Sequence, residues 1–399
     1  MAPTVWQSAE IGYCSNVHPT ESFAALSQAI QHPINAVRVA RGLSHMATGL
    51  WISAEAATEI VTQPHQQRLF TTLLAEANLD LITLNGFPYG DFHGTCVKAS
   101  VYTPDWSDPR RYHYTCQLAQ LLAQQLSLSA NEGTLSTLPL GYRPSWSSDK
   151  QELALRHITQ LALYLHRLKQ ETGRHIRVCF EMEPGCVLEQ TQEALLFFRS
   201  QLPAVAQQQH IAETLLQAHL GICYDVCHQA VMFEQATESL GTLTAANITI
   251  GKIQLSSALH IERPDQAHAL LARYAEPRYL HQVRSKTDAN IVQGVMDLPE
   301  ALAHNGLPSD APWRIHFHIP IHATQLDDER LTTTQAEICA VFDFLAKNPE
   351  IRPHLEVETY TWQVLPLAFA INDEYDLTRG IHAELQWVEE QLQQRGLLA

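Results

Sequence analysis

An α/β barrel of eight parallel strands, each followed by a helix, is the fold class the sequence predicts. Long loops should follow its strands, with an insertion around 260–312. Three observations predict it. Short β-type runs alternate with helix-periodic segments over all 399 residues, the pattern of repeated βαβ units and a parallel sheet. Eight or nine strand candidates suit a closed (β/α)8 ring better than an open sheet. Run after run also ends in a carboxylate, an imidazole or an amide, and in such barrels the chemistry sits at the carboxyl ends of the strands. No segment is low in complexity, no internal repeat is present and nothing reads as a flexible linker, so 1–399 is expected to be a single domain.

Taken in order, EIGYCSNVHP is the first strand candidate, stopped by Pro19, and a helix follows from Glu21 to Ile30. INAVRVA and TGLWIS read as two short extended pieces. TGLWIS suits either the central sheet or a hairpin beside it. Residues 54–78 have helical periodicity. LDLITLN is the next strand, and a long aromatic loop with Pro and Gly punctuation leaves it, the kind of loop that more often carries function than decoration. Tyr112 to Gln125 reads as a helix and GTLSTLPLGYR as strand and loop. Asp149 is expected to cap a long amphipathic helix that Gly173 ends. The strand HIRVCFEMEPG follows, then a helix near 191–201, the strand GICYDVCH, a helix near 234–245 and the strand KIQLSSA. After the insertion come the strand RIHFHIP, a helix from Thr333 to Lys347, the strand HLEVETYTW and a terminal helix from Tyr375 to Gln394.

The totals narrow the function. Lys+Arg 26 against Asp+Glu 42 leaves a net charge of −16, which argues against a nucleic-acid binder, whose partner demands a basic footprint. The first residues, MAPTVWQSAE, lack the basic-then-apolar pattern of a secretion signal. No apolar run approaches the ~20 residues needed to span a bilayer. The 8 cysteines are scattered, without a CxxC pair, as reduced thiols of a cytoplasmic protein would be.

A strand that ends on carboxylates is not serving a core, because a buried carboxylate is costly unless paired or bound to a metal. Glu183, Asp225 and Glu358 are hard oxygen ligands of the kind that hold Mg²⁺ or Mn²⁺, and a histidine among them widens the choice to Zn²⁺, Co²⁺ or Fe²⁺. Each of these acids alone is equally explained as the cap of the next helix. Glu181 and Glu356 lie two residues before favoured ligands and so share their strand faces. Lys252 and Gln254 share one face, as do His316 and His318. His228 follows Asp225 by three residues and can turn back towards it. His18, Asn85, His93 and Lys98 are further polar groups on the loops, and Tyr360 and Trp362 are aromatics suited to stacking on a sugar ring.

Glu183-Pro184, Asp225-Val226-Cys227-His228 and the phrase HFHI resemble the xylose isomerase-like TIM barrels, which include sugar epimerases, hydroxypyruvate isomerases and endonuclease IV-type enzymes. The resemblance implies a divalent metal (Mn, Mg, Zn or Co) held by a Glu, an Asp, a His and a Glu. Here these would be Glu183, Asp225, a third ligand and Glu358. HFHI points to His318 as the third ligand, whereas strand order places Gln254 beside Asp225 and favours it, with His318 then near the substrate or a second metal. A longer series of motifs, among them GYCSNVHP, LNGFPYGDFHG, LSTLPLGYR, KIQLSSAL, YLHQV, HFHIP and HLEVETYTW, is similar to the metabolite traffic protein EboE family, placed in that same superfamily. Members of that family occur beside biosynthetic enzymes, which implies a sugar-, polyol- or cyclitol-like substrate and partners from the same cluster, with oligomerisation left open.

The expected activity is isomerisation or epimerisation. Glu183 and Glu358 would exchange a proton with the substrate, His228 and Lys252 would act on its oxygens, and His18, Asn85, His93, Lys98, His316, Glu181, Glu356, Tyr360 and Trp362 would line its site. A metabolite-binding or trafficking protein on the same barrel is the alternative class, and an endonuclease IV-type nuclease a third.

Overall fold

A computed structural model describes residues 5–127, 130–303, 306–326, 328–366 and 374–399. Its central sheet is all parallel. In chain order the strands are β1 (Gly12–Tyr13), β2 (Met46–Trp51), β3 (Leu79–Asn85), β4 (Gly133–Thr137), β5 (Ile176–Glu181), β6 (Leu220–Asp225) and β7 (Ile250–Leu255). An excursion then carries β8 (Ala258–Ile261), β9 (Val283–Lys286), β10 (Val292–Val295), β11 (Trp313–His318) and β12 (Thr332–Thr333), before the chain returns as β13 (His354–Val357). Pairing runs β1-β13-β7-β6-β5-β4-β3-β2. A parallel bridge between Cys14 and Gly49 joins the two ends and closes an eight-stranded barrel.

The barrel strands are buried on both faces, which explains why they read as near-continuous apolar runs and not as strict alternation. In β5 every residue from Ile176 to Glu181 is buried. The helices cover the outside with one apolar stripe each. Helix Ser148–Thr172 buries Ala154, Ile158, Leu161 and Leu165, the spacing of a single helical face. Its amino end is capped by Ser147, whose hydroxyl accepts from the Lys150 amide, and it stops at Gly173, whose φ of +71° suits glycine. Asp149 therefore lies in the first turn and is not the cap.

Other expectations shift in instructive ways. Asn35–Ala40 is helical, not extended. It continues from helix Phe23–Ala29 through a wide turn containing Pro33, and its β-branched residues yield to that context. Residues 54–78 form two helices, because Pro64 cannot donate within a helix and instead opens the second. TGLWIS belongs to the barrel, in β2. The excursion is larger than 260–312. It is a five-stranded antiparallel sheet ordered β10-β9-β11-β8-β12, and it claims the His316 strand, which the sequence placed in the barrel. All eight cysteines are free, and among the described residues no helix is long and apolar enough to cross a membrane.

At the barrel seam Gly49 faces the interior, and a Cβ there would land on the Glu356 carboxylate. That carboxylate cannot step aside freely, because Lys252 Nζ holds it at 2.5 Å with both groups fully buried. Gly49→Ala is expected to destabilise the protein by about 1–3 kcal/mol, as overpacking does, measured as a lowered urea midpoint at unchanged slope. An unchanged midpoint would show that the seam is looser than described.

Candidate metal and substrate pocket at the barrel mouth

A pocket opens at the carboxyl ends of the strands. Its walls include Asn16, Asn85, Tyr102, Glu181, Glu183, His228, His316, His318, Glu358 and Tyr360. Asp225 lies just beneath them, fully buried at the end of β6.

Asp225 does two jobs with its two oxygens. Oδ1 accepts from the His228 amide at 2.9 Å, capping helix Val226–Val231, and from the Ser256 hydroxyl at 2.8 Å. Oδ2 is buried and has no partner. The same division recurs at Glu358, just past β13. Oε1 accepts from Asn16 Nδ2 at 2.6 Å and from Asn85 Nδ2 at 3.3 Å, while Oε2 has no partner. Glu181, at the end of β5, also leaves Oε2 bare. Oxygens of Glu181, Asp225 and Glu358 lie within 4.8 Å of one another.

His318 reaches Asp225 from another sheet, in a close group with Asp225 and His228. Its Nδ1 is 2.6 Å from the Glu358 carbonyl, so that nitrogen carries the proton and donates it. Its Nε2 is then a lone pair, buried and unpartnered, and a nitrogen of His318 lies within 4.8 Å of Asp225. Fixing an imidazole through one nitrogen to a carbonyl is how metal-binding histidines are oriented. A shift in the β11–β8 register between Ile315 and His318 re-aims this end of β11.

Glu183 stands apart from the acidic trio. Tyr102 OH donates to its Oε1 at 2.7 Å, and Gln282 Nε2 in turn donates to Tyr102 at 2.9 Å. Glu183, His228 and His316 form a second close group. Burial first, then neighbouring carboxylates, push Glu181 and Glu358 well above the usual carboxylate range. Burial pushes Glu183 up to about 8 and raises Asp225 as well. Burial likewise lowers His228 to about 3 and His318 to about 4. Acids and imidazoles thus both disfavour their charged forms, a pattern that a cation among them reverses.

Other expected site residues are placed elsewhere. Gln254 pairs in register with Asp225 but accepts from Cys223 Sγ at 3.0 Å within the barrel, away from the pocket walls. Lys252 and Glu356 form their buried ion pair below it. Lys98 reaches the pocket wall, but its ammonium is spent on the Glu276 and Tyr279 carbonyls and on Asp297 at 2.6 Å. His93 bonds Glu21 and the Asn16 carbonyl, so it supports the pocket from behind. His18 bonds Tyr13 OH and lines a separate groove. Trp362 packs outside the pocket with its Nε1 on Glu384. Tyr360 does line the pocket, its ring 4.6 Å from that of His318. Tyr102 and Gln282 were not singled out from the sequence, and Asn16 only as a polar residue at the end of the first strand candidate. Their signal was the occurrence of amide and phenol groups within the apolar loop motifs VYTPDW and YLHQV and at the end of β1.

Comparison with known proteins adds little. No family model and no curated protein matches the chain. Among solved structures it is similar to a D-tagatose 3-epimerase-like protein, with a TM-score of 0.48 and 12% identity over 97% of this chain and 98% of that one. It is also similar to a xylose isomerase domain containing protein from Salmonella typhimurium LT2, with a TM-score of 0.44 and 11% identity over 97% and 99%. A third is the IOLI protein with a binding zinc atom, with a TM-score of 0.42 and 10% identity over 96% and 97%. These likenesses are distant, and the barrel stands on its own strand order.

The segment that follows Glu358 is pinned by Glu384 of helix Glu374–Gln394, which accepts from Thr359 Oγ1 at 2.6 Å, Trp362 Nε1 at 3.0 Å and the Ile321 amide at 3.1 Å. Burial outweighs these donors and pushes Glu384 up to about 7. A carboxyl raised in the folded state contributes its stability fully below its unfolded value near 4.5 and loses it as pH rises through 7. Glu384→Gln is therefore expected to gain about 2–3 kcal/mol relative to wild type between pH 4.5 and pH 8, read from urea unfolding at both pH values. A difference independent of pH would contradict the burial argument.

Proposed function

We propose that this protein is a divalent-metal-dependent isomerase or epimerase acting on a small sugar-, polyol- or cyclitol-like hydroxyketone. The observation that carries the reading is the set of buried lone pairs left without partners at one pocket: Glu181 Oε2, Asp225 Oδ2, His318 Nε2 and Glu358 Oε2. Buried polar atoms are normally satisfied, so a group of acceptors without donors calls for a cation. Three carboxylates and one imidazole suit Mn²⁺, Mg²⁺, Co²⁺ or Zn²⁺. In this reading Glu181 takes the place that the sequence offered to Glu183, and of the two candidates for the third ligand His318 serves and the favoured Gln254 does not.

A divalent ion held there supplies Lewis acidity that lowers the pKa of a C–H beside a carbonyl. The chain's own residues handle the proton. Glu181 and Glu358 enter from β5 and from the end of β13, on either side of Asp225; with Oε2 of each turned to the ion, the proton would be taken and returned through Oε1, which on Glu358 also accepts from Asn16 and Asn85. Asn16 and Asn85 fix the orientation of Glu358, and Ser256 fixes that of Asp225. Tyr360 presents an apolar ring face beside the polar groups, the mixture that sugar-like molecules require. The resemblance to the EboE family supports the substrate class and a place among the enzymes of a small-metabolite cluster, in a cytoplasm where buried thiols such as Cys179 and Cys223 stay reduced.

Two measurements test this. Chelator-stripped protein should regain one tightly bound equivalent of metal at this site, which Asp225→Asn and Glu181→Gln each lose on elemental analysis. Metal-loaded protein in deuterated water should move deuterium into a carbon-bound position of a hydroxyketone, and Glu358→Gln should slow that exchange about 10²–10⁴-fold. Binding of such compounds with no exchange from any of them would replace the enzyme reading with a binding protein.

A further inference from the structure

The pocket has two chemically different parts. Its floor is the polar group at the strand ends, and much of its wall is apolar. Phe87, Phe92, Val97 and Val101 come to that wall from the long loop after β3, and Tyr279 and Leu280 from the insertion. Phe92, Val97 and Tyr279 cluster with Trp51 apart from the barrel core. The Phe92 and Tyr279 rings lie 5.0 Å apart, and those of Tyr279 and Tyr360 4.9 Å apart. Backbone bonds fix the wall in this position. The Val97 and Lys98 amides both donate to the Arg278 carbonyl at 2.8 Å, and the Tyr279 amide donates to Glu276 Oε1 at 2.8 Å. An apolar surface held open to a pocket is unfavourable in water and favours a ligand group that covers it.

The charges of the pocket point the same way. Among the described residues that line it, Lys98 is the one lysine or arginine. An ammonium has three protons to donate, and those of Lys98 meet the Glu276 carbonyl at 3.1 Å, the Tyr279 carbonyl at 2.7 Å and Asp297 Oδ2 at 2.6 Å. No donor of that side chain is left for a ligand. The pocket imidazoles His228, His316 and His318 face the carboxylates of Glu181, Glu183 and Glu358, with Asp225 beneath. A phosphate or carboxylate on the substrate would therefore lose its water against apolar carbon and acids, with no free cationic side chain to pair it. We infer that the substrate carries an uncharged apolar substituent, alkyl or aryl, at the end remote from its hydroxyketone, and that sugar phosphates are rejected. This rests on the proposed function for the polar end of the molecule. The apolar end is assigned by the wall alone.

The test is calorimetric titration of manganese-loaded full-length protein with D-fructose, its 6-phosphate and its 6-O-butyl ether, with deuterium exchange followed separately. Each buried methylene is worth a factor of about four in affinity. The ether should bind at least about tenfold tighter than fructose, and the phosphate more weakly than fructose. Leu280→Arg, which sets a guanidinium in the apolar wall, should reverse the order of ether and phosphate. The wild-type order is read without the variant, so misfolding of Leu280→Arg does not spoil the test. Phosphate binding as tight as that of the ether, equal affinity for all three compounds, or binding of none of them overturns the inference. A folded Leu280→Arg protein that keeps the wild-type order overturns it as well. Preference for the ether without exchange supports the apolar subsite and removes the isomerase reading. Exchange with a preference for the phosphate does the opposite.

Discussion

Three carboxylates converge within 4.8 Å in the buried layer of a barrel, and much of the surrounding structure answers that constraint. An unpaired buried carboxylate costs several kcal/mol, and like charges side by side raise the cost. The barrel answers in two layers. Deeper in, Lys252 neutralises Glu356. At the mouth, Asn16, Asn85, Ser256 and the His228 amide satisfy one oxygen each of Glu358 and Asp225. They leave the other oxygens pointing into the pocket. The satisfied halves hold the acids in place, and the bare halves face the pocket.

Two explanations of a strand-end acid, helix cap and metal ligand, look exclusive when only residue types are known. Asp225 shows that they are not. One oxygen caps helix Val226–Val231 and the other is left over, so capping is what aims the bare oxygen. His318 follows the same logic, with one nitrogen tied to the Glu358 carbonyl and the other presented. Each of these groups both holds the fold and presents a bare atom to the pocket, so one substitution would disturb both.

Much of the barrel was legible, because strands buried on both faces announce themselves as apolar runs and their polar ends stand out against that background. The site was legible as a population of residues and not as a geometry. Glu181 and Glu183 share a strand direction in the sequence, yet the chain leaves β5 at Glu181, so the two carboxylates part company and join different neighbours. Gln254 sits beside Asp225 in register, as strand order requires, but turns to Cys223 within the barrel. His318 reaches the mouth from an antiparallel sheet that no strand count places there. Lys98, His93 and Trp362 carry the right chemistry, but tertiary partners absorb it. Periodicity reports which face is buried, and it is silent on whom a buried polar group meets.

The delivery of His316 and His318 by the β8–β12 sheet divides the protein into two inheritable parts. The barrel supplies acids from strands whose hydrogen bonds close on themselves, and that ring contains no backbone of the insertion. The insertion supplies His316 and His318, and the helix after β6 supplies the third pocket imidazole, His228. Drift in the insertion would therefore change which nitrogens face the pocket, and under the proposed function the choice of ion, while the ring that provides stability is left intact. A lineage built on this plan can change its chemistry by editing a surface sheet.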